Sequence, residues 1–181
     1  MPSGRYNSGM NINHSLLMSK FINKKCALAI VMFVQAMTAA ELAFMQYAEL
    51  HSDKKADPAT KAMQMLSYAR FFSEACGWCA LAIRRLRYEG VPEIKTFLEE
   101  NKRHIDNLYE IRRSVNHHYN DDLADEYRTG NYKAGRHQEK LAFIFSCNPD
   151  GVSFKIGTIE INMISQLASM KKLEDELLTI K

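Results

Sequence analysis

The chain has 181 residues, of which 46% are hydrophobic and 25% charged, and its formal net charge is +3. This length suits one domain with a buried core, or one domain with an appendage, and the composition is that of an ordinary globular chain. The mild positive charge permits an anionic partner, but a dedicated duplex-binding protein is usually much more basic.

Residues 1–14 are polar and lack the basic start and apolar segment of a signal peptide, so they are expected to form a flexible tail. The most apolar run, residues 26–34, is well short of the roughly 20 residues that cross a bilayer. Four cysteines without the pattern of a disulfide framework indicate a reducing compartment. We therefore predict a cytoplasmic protein that is not bound to a membrane.

A long helical pattern covers residues 15–51, and alanines within it allow a neighbouring helix to approach closely. A short polar connection over residues 51–56 favours an antiparallel neighbour. The apolar residues that recur at helical spacing in this first segment are Leu17, Phe21, Leu28, Val31, Leu42 and Met45.

A second helix is predicted from Asp57 to Glu89. Aspartate is a good N-cap, Pro58 suits the first helical position, and Gly90 stops the helix. Its arginines, Arg84, Arg85 and Arg87, lie in the last turns. There they are favoured by the helix dipole, and the alternative is a basic lip that guides RNA.

Cys76-Gly77-Trp78-Cys79 has the spacing of a redox or zinc half-site. A redox pair belongs at the start of a helix after a strand, and zinc requires a second ligand pair, which the chain lacks. Because this segment lies within a helix among alanines, the sequence favours buried structural thiols beside a core tryptophan.

A third helix is predicted over residues 92–113, and a polar loop over residues 129–140. The period then changes to that of strands, at residues 141–146 and from Val152 to Ile156, with turn residues between them. This pattern predicts a β-hairpin, with a bulge or break at Gly157. Because an isolated two-stranded hairpin is only marginally stable, the hairpin must lie on the helices or pair with another chain. A final helix is predicted over residues 162–180.

Arg112, at the end of the third helix, and His117, just after it, are candidate catalytic residues. Arginine offers a planar fork of donors to a phosphate, and histidine both takes and gives a proton near neutral pH. Residues five apart on a helix lie about 140° around its axis. The two side chains therefore converge only if the helix bends, or if a second copy of the chain supplies one of them. The weak helix formers at positions 114–118, which include both histidines, favour such a break.

The pattern of Arg112, four intervening residues, His117, one residue and Tyr119 resembles the signature of HEPN domains, helical proteins that are often metal-independent ribonucleases in prokaryotic toxin and defence systems. The chain departs from the commonest form at Arg113, where many members have a polar residue such as Asn. The pair of Arg113 and His118 has the same gap, but only the first register places a tyrosine two residues after the histidine.

The resemblance implies a homodimer in which Arg112 and His117 act as catalytic residues on RNA at the dimer cleft, without a cofactor. It makes Arg113, Asn116, His118 and Tyr119 substrate-binding or supporting residues. In some members the tyrosine is modified by a nucleotidyltransferase that serves as antitoxin, so an antitoxin or nucleotidyltransferase is an implied partner.

Less specific interpretations of the same residues remain. Arg112 and His117 fit a polar helix end that is hydrogen-bonded to Asp121 and Asp122, and Asn116 fits a helix cap. Adjacent histidines point about 100° apart on a helix and the ligand set is not closed, so no metal site is predicted.

The predicted fold class is mainly α: an antiparallel helical bundle of HEPN type over residues 15–128, with a C-terminal β-hairpin and terminal helix over residues 141–181 as an accessory element. The predicted function is a metal-independent endoribonuclease in a toxin or defence role. The alternatives are a non-catalytic HEPN-like module that binds RNA, a nucleotide or a protein, and a purely structural helical dimer.

Overall fold

The computed structural model of the protein describes residues 24–116, 145–148, 150–156 and 159–180. Within these ranges there are five α-helices, which we number α1 (Lys24–Ser52), α2 (Pro58–Arg85), α3 (Pro92–Glu100), α4 (Lys102–Asn116) and α5 (Met163–Thr179), and a 3₁₀-helix over Leu86–Glu89. The predicted mainly α class is confirmed for these parts of the chain, whereas the HEPN type of the bundle stays a prediction.

Cross-helix contacts make α2 an antiparallel neighbour of both α1 and α4. Lys61, early in α2, donates to the His51 carbonyl near the end of α1 at 2.8 Å, and Arg85, at the end of α2, contacts Met32 near the start of α1. Likewise Arg84 pairs with Asp106 early in α4, while Arg112 pairs with Glu74 farther back in α2. The helical part is therefore an antiparallel bundle with α2 between α1 and α4.

Helix α1 buries a stripe that repeats every three and four residues: Ile30, Phe33, Met37, Ala40, Phe44 and Tyr47. This is the spacing of one face of an α-helix, and each large side chain buried there contributes about 1.5–3 kcal/mol to stability. Leu28, Leu42 and Met45, by contrast, are each more than half exposed. The apolar residues singled out from the sequence are thus largely on the other side of α1 from the core.

One helix among the described residues, α1, is long and apolar enough over Leu28–Ser52 to cross a bilayer by length and composition. The count of consecutive apolar residues in the sequence did not predict this. Since nearly half of that segment is buried against the rest of the protein, the same pattern is that of a core helix.

Helix α2 begins as predicted. The Asp57 side chain accepts a hydrogen bond from the Thr60 backbone N–H at 2.9 Å, and Pro58 occupies the first turn. The helix tightens into the 3₁₀ turn after Arg85 and ends at Gly90, which has a φ of 70°, a conformation that favours glycine.

The predicted third helix is wrong as a single element, because it is divided at Asn101 into α3 and α4. The buried Asn101 amide donates to the Phe97 carbonyl at 3.2 Å and also to the Glu176 carboxylate. An asparagine side chain that bonds the backbone of the preceding turn competes with regular helix, which accounts for the break.

A row of polar pairs joins α4 to α5. Besides the bond from Asn101 to Glu176, His104 contacts Ser169 at 3.2 Å, and Asn107 donates to Gln166 at 3.2 Å. Residue numbers rise along α4 as they fall along α5, so these helices are also antiparallel. The terminal helix is therefore fixed against the helix that carries Arg112.

The sheet has three antiparallel strands in the order β1 (Phe145–Cys147), β2 (Ser153–Ile156) and β3 (Ile159–Asn162). Phe145 and Ile159 both pair with Ile156. The predicted hairpin of β1 and β2 is present in the described part, and the turn between them has Gly151 at a φ of 70°. Strand β3 was not predicted, because the sequence pattern indicated only a bulge or break at Gly157.

The sheet and α5 share one hydrophobic core with the bundle. Phe154 and Ile161 from the sheet are buried together with Met170, Leu173 and Leu177 of α5 and the apolar residues of α1, α2 and α4. The hairpin thus lies on the helices, one of the two arrangements expected for it. Helix α5 is capped by Asn162, whose side chain accepts from the Ser165 N–H at 2.9 Å, close to the predicted start.

Candidate functional site

The predicted catalytic pair is described in part. Arg112 and Arg113 lie in the last turns of α4, and Asn116 is its final residue, whereas His117, His118 and Tyr119 lie outside the described residues. Helix α4 continues without a break from Arg112 through Asn116. The break expected within positions 114–118 is therefore absent from its described part, 114–116, and His117 and His118 lie outside the described residues.

Arg112 is held against α2 by two contacts. Its Nε donates to Glu74 Oε2 at 2.8 Å, and its guanidinium carbon lies 5.1 Å from the centre of the Trp78 ring. The Arg112 and Glu74 side chains are 26% and 27% exposed, so the ion pair is screened from water on most sides. A cation within about 6 Å of a tryptophan ring is attracted to its face. These contacts fix the arginine while leaving it accessible.

Gly77 gives the Arg112 side chain room to cross α2. A β-carbon placed on Gly77 would lie 2.1 Å from Arg112 Cδ and 2.5 Å from Arg112 Cβ. Glycine within a helix costs about 1 kcal/mol relative to alanine. At this position the cost is accounted for by the close approach of the two helices, which no other residue would allow without a shift.

The guanidinium of Arg112 is only partly used. Glu74 accepts from Nε alone, and in the described part of the chain no hydrogen-bond acceptor contacts Nη1 or Nη2. A guanidinium has five N–H donors, so four of them are available to an oxyanion. Arg112 can therefore bind a phosphate without giving up its contact with α2.

Arg113 has a different environment. Its Nη1 lies 3.3 Å from Glu110 Oε1 one turn earlier, and its side chain is 59% exposed. Ion pairs of this exposed kind contribute little to stability. Arg113 therefore points away from the contacts that organise Arg112, and the two arginines are distinguished by their surroundings as well as by the spacing to Tyr119.

The arginines at the end of α2 are engaged to different degrees. Arg84 pairs with Asp106 at 2.7 Å and stacks over Tyr109, with 4.4 Å between the guanidinium carbon and the ring centre. Arg87 stacks on its neighbour Tyr88 at 4.7 Å. Arg84 thus connects α2 to α4, a structural role that the helix-dipole interpretation of this cluster did not predict.

An apolar groove runs between α1 and α2 next to Arg112. It encloses about 560 Å³, and its floor is rich in alanine, including Ala36, Ala39 and Ala43. Its remaining lining residues are Met32, Gln35, Leu42, Gln46, Tyr68, Phe71, Glu74, Ala75 and Trp78. Glu74 and Trp78 also contact Arg112, so the groove and the arginine share a boundary.

Cys76 and Cys79 are buried free thiols, as predicted. Burial raises the pKa of each, and for Cys79 the nearby Cys76 raises it further. Trp78, however, is 43% exposed and lies at the groove, so the prediction of a core tryptophan is wrong. No group of three or more potential metal ligands occurs among the described residues.

Sequence reasoning missed Glu74, Gly77 and Trp78 as neighbours of Arg112. Residues at i, i+3 and i+4 share one face of a helix, so these three side-chain positions form one surface of α2. A glycine within a strong helical pattern, between an acidic and an aromatic residue, is the available signal of a close approach by another element. It does not reveal which residue makes that approach.

In comparisons with known proteins, no protein-family model, curated protein or solved structure matches this chain.

Proposed function

We propose that the protein is a metal-independent endoribonuclease of HEPN type, in which Arg112 and His117 cut RNA at the cleft of a homodimer. The observation that carries the proposal is the state of Arg112. It is fixed by Glu74 and Trp78 and partly exposed, its Nη groups contact no acceptor within the described part of the chain, and it lies five residues before a histidine. An arginine held in one geometry loses little freedom when it binds a phosphate.

The chemistry assigns one role to each residue. Neutral His117 takes the proton from a ribose 2′-hydroxyl, and the 2′-oxygen forms a bond to the adjacent phosphorus. Arg112 stabilises the negative charge that builds up on the phosphate oxygens. The bond to the 5′-oxygen then breaks, and that oxygen takes a proton from a protonated histidine. The products are a 2′,3′-cyclic phosphate and a free 5′-hydroxyl, and the reaction requires no metal.

A second copy of the chain supplies what one helix cannot. Because α4 is unbroken through Asn116, Arg112 and a helical residue at position 117 would lie about 140° apart. Pairing of two chains resolves this conflict by bringing each Arg112 to the histidine of its partner, and the second histidine serves as the acid.

We assign the dimer contact to the groove between α1 and α2. Among the described residues that line it, Glu74 is the one that is charged, and Arg112 of the same chain neutralises that charge, so the surface suits an apolar partner. Leu42, Phe71 and Trp78 project around a floor of alanines, a shape that two copies can fill mutually. These three side chains expose roughly 300 Å², a substantial part of the about 800 Å² that each partner buries in a standard interface.

The biological setting follows from the same proposal. We place the protein in the cytoplasm in a toxin or defence role, where an RNA-cutting enzyme requires restraint by an antitoxin. Tyr119 is the proposed target of a nucleotidyltransferase partner, since modification beside His117 would block the cleft.

The test is cleavage of single-stranded RNA in excess EDTA by the full chain and three variants. Arg112→Ala and His117→Ala are expected to lower the cleavage rate by about 100-fold or more, the size of effect typical of a lost acid–base or electrostatic group. Arg103→Ala, at an exposed arginine earlier on α4, is the matched control with the same loss of charge, and should stay within about threefold. Cleavage that survives both catalytic substitutions would remove this site from consideration.

A non-catalytic binding module is the second candidate. It is favoured by the position of Glu74, whose negative charge beside Arg112 lowers the positive potential that a phosphate meets there. For this function, RNA binding should weaken with salt and with Arg112→Ala, and no product should form. Product formation that depends on His117 excludes it.

A further inference from the structure

Glu74 occupies one edge of the Arg112 guanidinium. A guanidinium can bind a phosphate in two bidentate ways, through Nε with one Nη or through the two Nη groups. Glu74 Oε2 accepts from Nε at 2.8 Å, which places a negative charge on the first of these edges. The edge formed by Nη1 and Nη2 has no acceptor among the described residues. A phosphate that approaches Arg112 therefore meets one open edge and one that repels it.

Trp78 restricts the remaining freedom of the same group. Its ring lies 5.1 Å from the guanidinium carbon, and the absence of a side chain on Gly77 lets the Arg112 stem lie flat across α2. The ion pair holds Nε toward Glu74, and the ring of Trp78 lies beside the guanidinium carbon. Together they leave the arginine in one orientation, which is the condition for strong transition-state stabilisation by a preorganised donor.

We propose that Glu74 and Trp78 are positioning residues that make Arg112 grip the scissile phosphate through Nη1 and Nη2 only. This proposal rests on the ribonuclease function proposed above and adds which edge of the Arg112 guanidinium contacts the phosphate. The carboxylate of Glu74 also carries a cost, because it repels the phosphate in the ground state. Glu74 therefore lowers the affinity for RNA while it holds the catalytic arginine in one orientation.

These opposite effects on RNA binding and on the orientation of Arg112 give a kinetic signature that a purely structural ion pair between α2 and α4 lacks. Glu74→Gln keeps the shape and an oxygen acceptor but removes the charge, so RNA should bind more tightly while the guanidinium is held less firmly. KM should fall by about threefold and kcat by about tenfold. A loss of structural support alone would lower the unfolding temperature and would not lower KM.

The ring of Trp78 is tested by a conservative pair of variants. Trp78→Phe keeps an aromatic face and should stay within about threefold of the wild-type kcat. Trp78→Ala removes the face and should lower kcat by about tenfold at protein concentrations where sedimentation velocity shows that the variant is still a dimer. In the Arg112→Ala background, Glu74→Gln and Trp78→Ala should have no further effect, because residues that act through one group are not additive.

A binding measurement separates the failure of this proposal from failure of the nuclease function. Trp78 is the one tryptophan in the chain, so intrinsic fluorescence reports directly on the ring beside Arg112. Titration with 2′-O-methyl RNA, which cannot form the cyclic product, should change the emission of the wild type and of Glu74→Gln, with tighter binding by Glu74→Gln. Arg112→Ala should show no such change.

Each outcome is decisive. If RNA is cleaved in an Arg112-dependent way but Glu74→Gln and Trp78→Ala leave kcat and KM unchanged, the positioning proposal is wrong and the nuclease function stands. If no RNA is cleaved, the nuclease function fails. The fluorescence titration then decides: an Arg112-dependent change with tighter binding by Glu74→Gln supports the directed phosphate grip, and no change in the wild type, or no tightening by Glu74→Gln, overturns it.

Discussion

The side chain of Arg112 lies against Gly77 so closely that a β-carbon at position 77 would stand 2.1 Å from Arg112 Cδ. The two residues are 35 positions apart in sequence and belong to the two antiparallel helices α2 and α4. This contact fixes the distance between the helix that carries the candidate arginine and the helix that carries its acidic and aromatic partners. The site depends on it as much as on the motif itself.

Gly77→Ala should destabilise the protein even though alanine is the better helix former. The gain in helix propensity is about 1 kcal/mol, but overpacking against the Arg112 stem costs typically 1–3 kcal/mol and displaces the guanidinium. Urea unfolding should therefore show a small net loss of stability together with altered Trp78 emission. In the Arg112→Ala background the clash with Cδ and Cγ is gone and only that with Cβ remains, so the loss should shrink. A gain of stability in the wild-type background would contradict the observed contact.

Leu42→Ser combined with Phe71→Ser should convert a dimer into monomers. Both side chains are more than half exposed at the groove, and the substitutions place hydroxyl groups where the partner is proposed to pack. Sedimentation velocity measures the result. Met63→Ser is the matched control, because Met63 lies on α2 like Phe71 and is 66% exposed, but does not line the groove. Equal dissociation by the control, or a dimer that survives the double substitution, rules out the groove as the interface.

Cys76 and Cys79 should resist alkylation in the folded protein. Burial raises the pKa of both thiols, so the reactive thiolate is scarce and also shielded. Labelling with iodoacetamide at pH 8, followed by peptide mass spectrometry, should be at least about 100-fold slower at these positions than in urea-unfolded protein. Comparable rates in the two states would show that the segment does not pack as described.

Glu41→Gln should stabilise the protein at neutral pH and not in acid. Burial raises the pKa of Glu41 above its ordinary value of 4.5, the Glu174 carboxylate raises it further, and Lys171 opposes the shift. The folded state therefore binds the proton more tightly than the unfolded state, and stability falls as pH rises through this range.

The stabilisation at pH 7 should be below about 1 kcal/mol, because Glu41 is only partly buried. It should fade near pH 4, where Glu41 is mostly protonated. Urea unfolding of both proteins at the two pH values measures it. A Glu41→Gln protein that is less stable than the wild type at pH 7 would contradict the assigned shift.

Local signals predicted α2 and α5 well because specific residues mark where these helices begin and end. Asp57 and Pro58 begin α2, Gly90 ends the turn that follows it, and Asn162 caps α5. The break at Asn101 was not predictable in the same way. Its cause includes a bond to Glu176, which lies 75 residues away and is brought near only by the packing of α5.

The packed face of α1 was the least predictable part of the helical bundle. Leucine and methionine recur around much of α1, and the side that is buried has several alanines and Tyr47, whereas Leu28 and Leu42 lie outside. Hydrophobicity alone does not decide which of two apolar sides faces the core. The neighbours decide, and those neighbours are known only once α2 and α5 are in place.

Similar reasoning explains what the motif alone could predict of the candidate site. Arg112 and His117 were found from residue chemistry and spacing, both of which are local. Glu74, Gly77 and Trp78 were not, because their role depends on the contact between α2 and α4. The sequence identified the residues suited to the chemistry, but not the residues that hold them in position.

The most direct test of the account is the chemical nature of the RNA ends made by the full chain in excess EDTA. The account predicts products with 2′,3′-cyclic phosphate and 5′-hydroxyl ends by mass spectrometry, and their loss in both Arg112→Ala and His117→Ala. RNA that stays intact with the wild type, or the same products in undiminished yield from both variants, would contradict it.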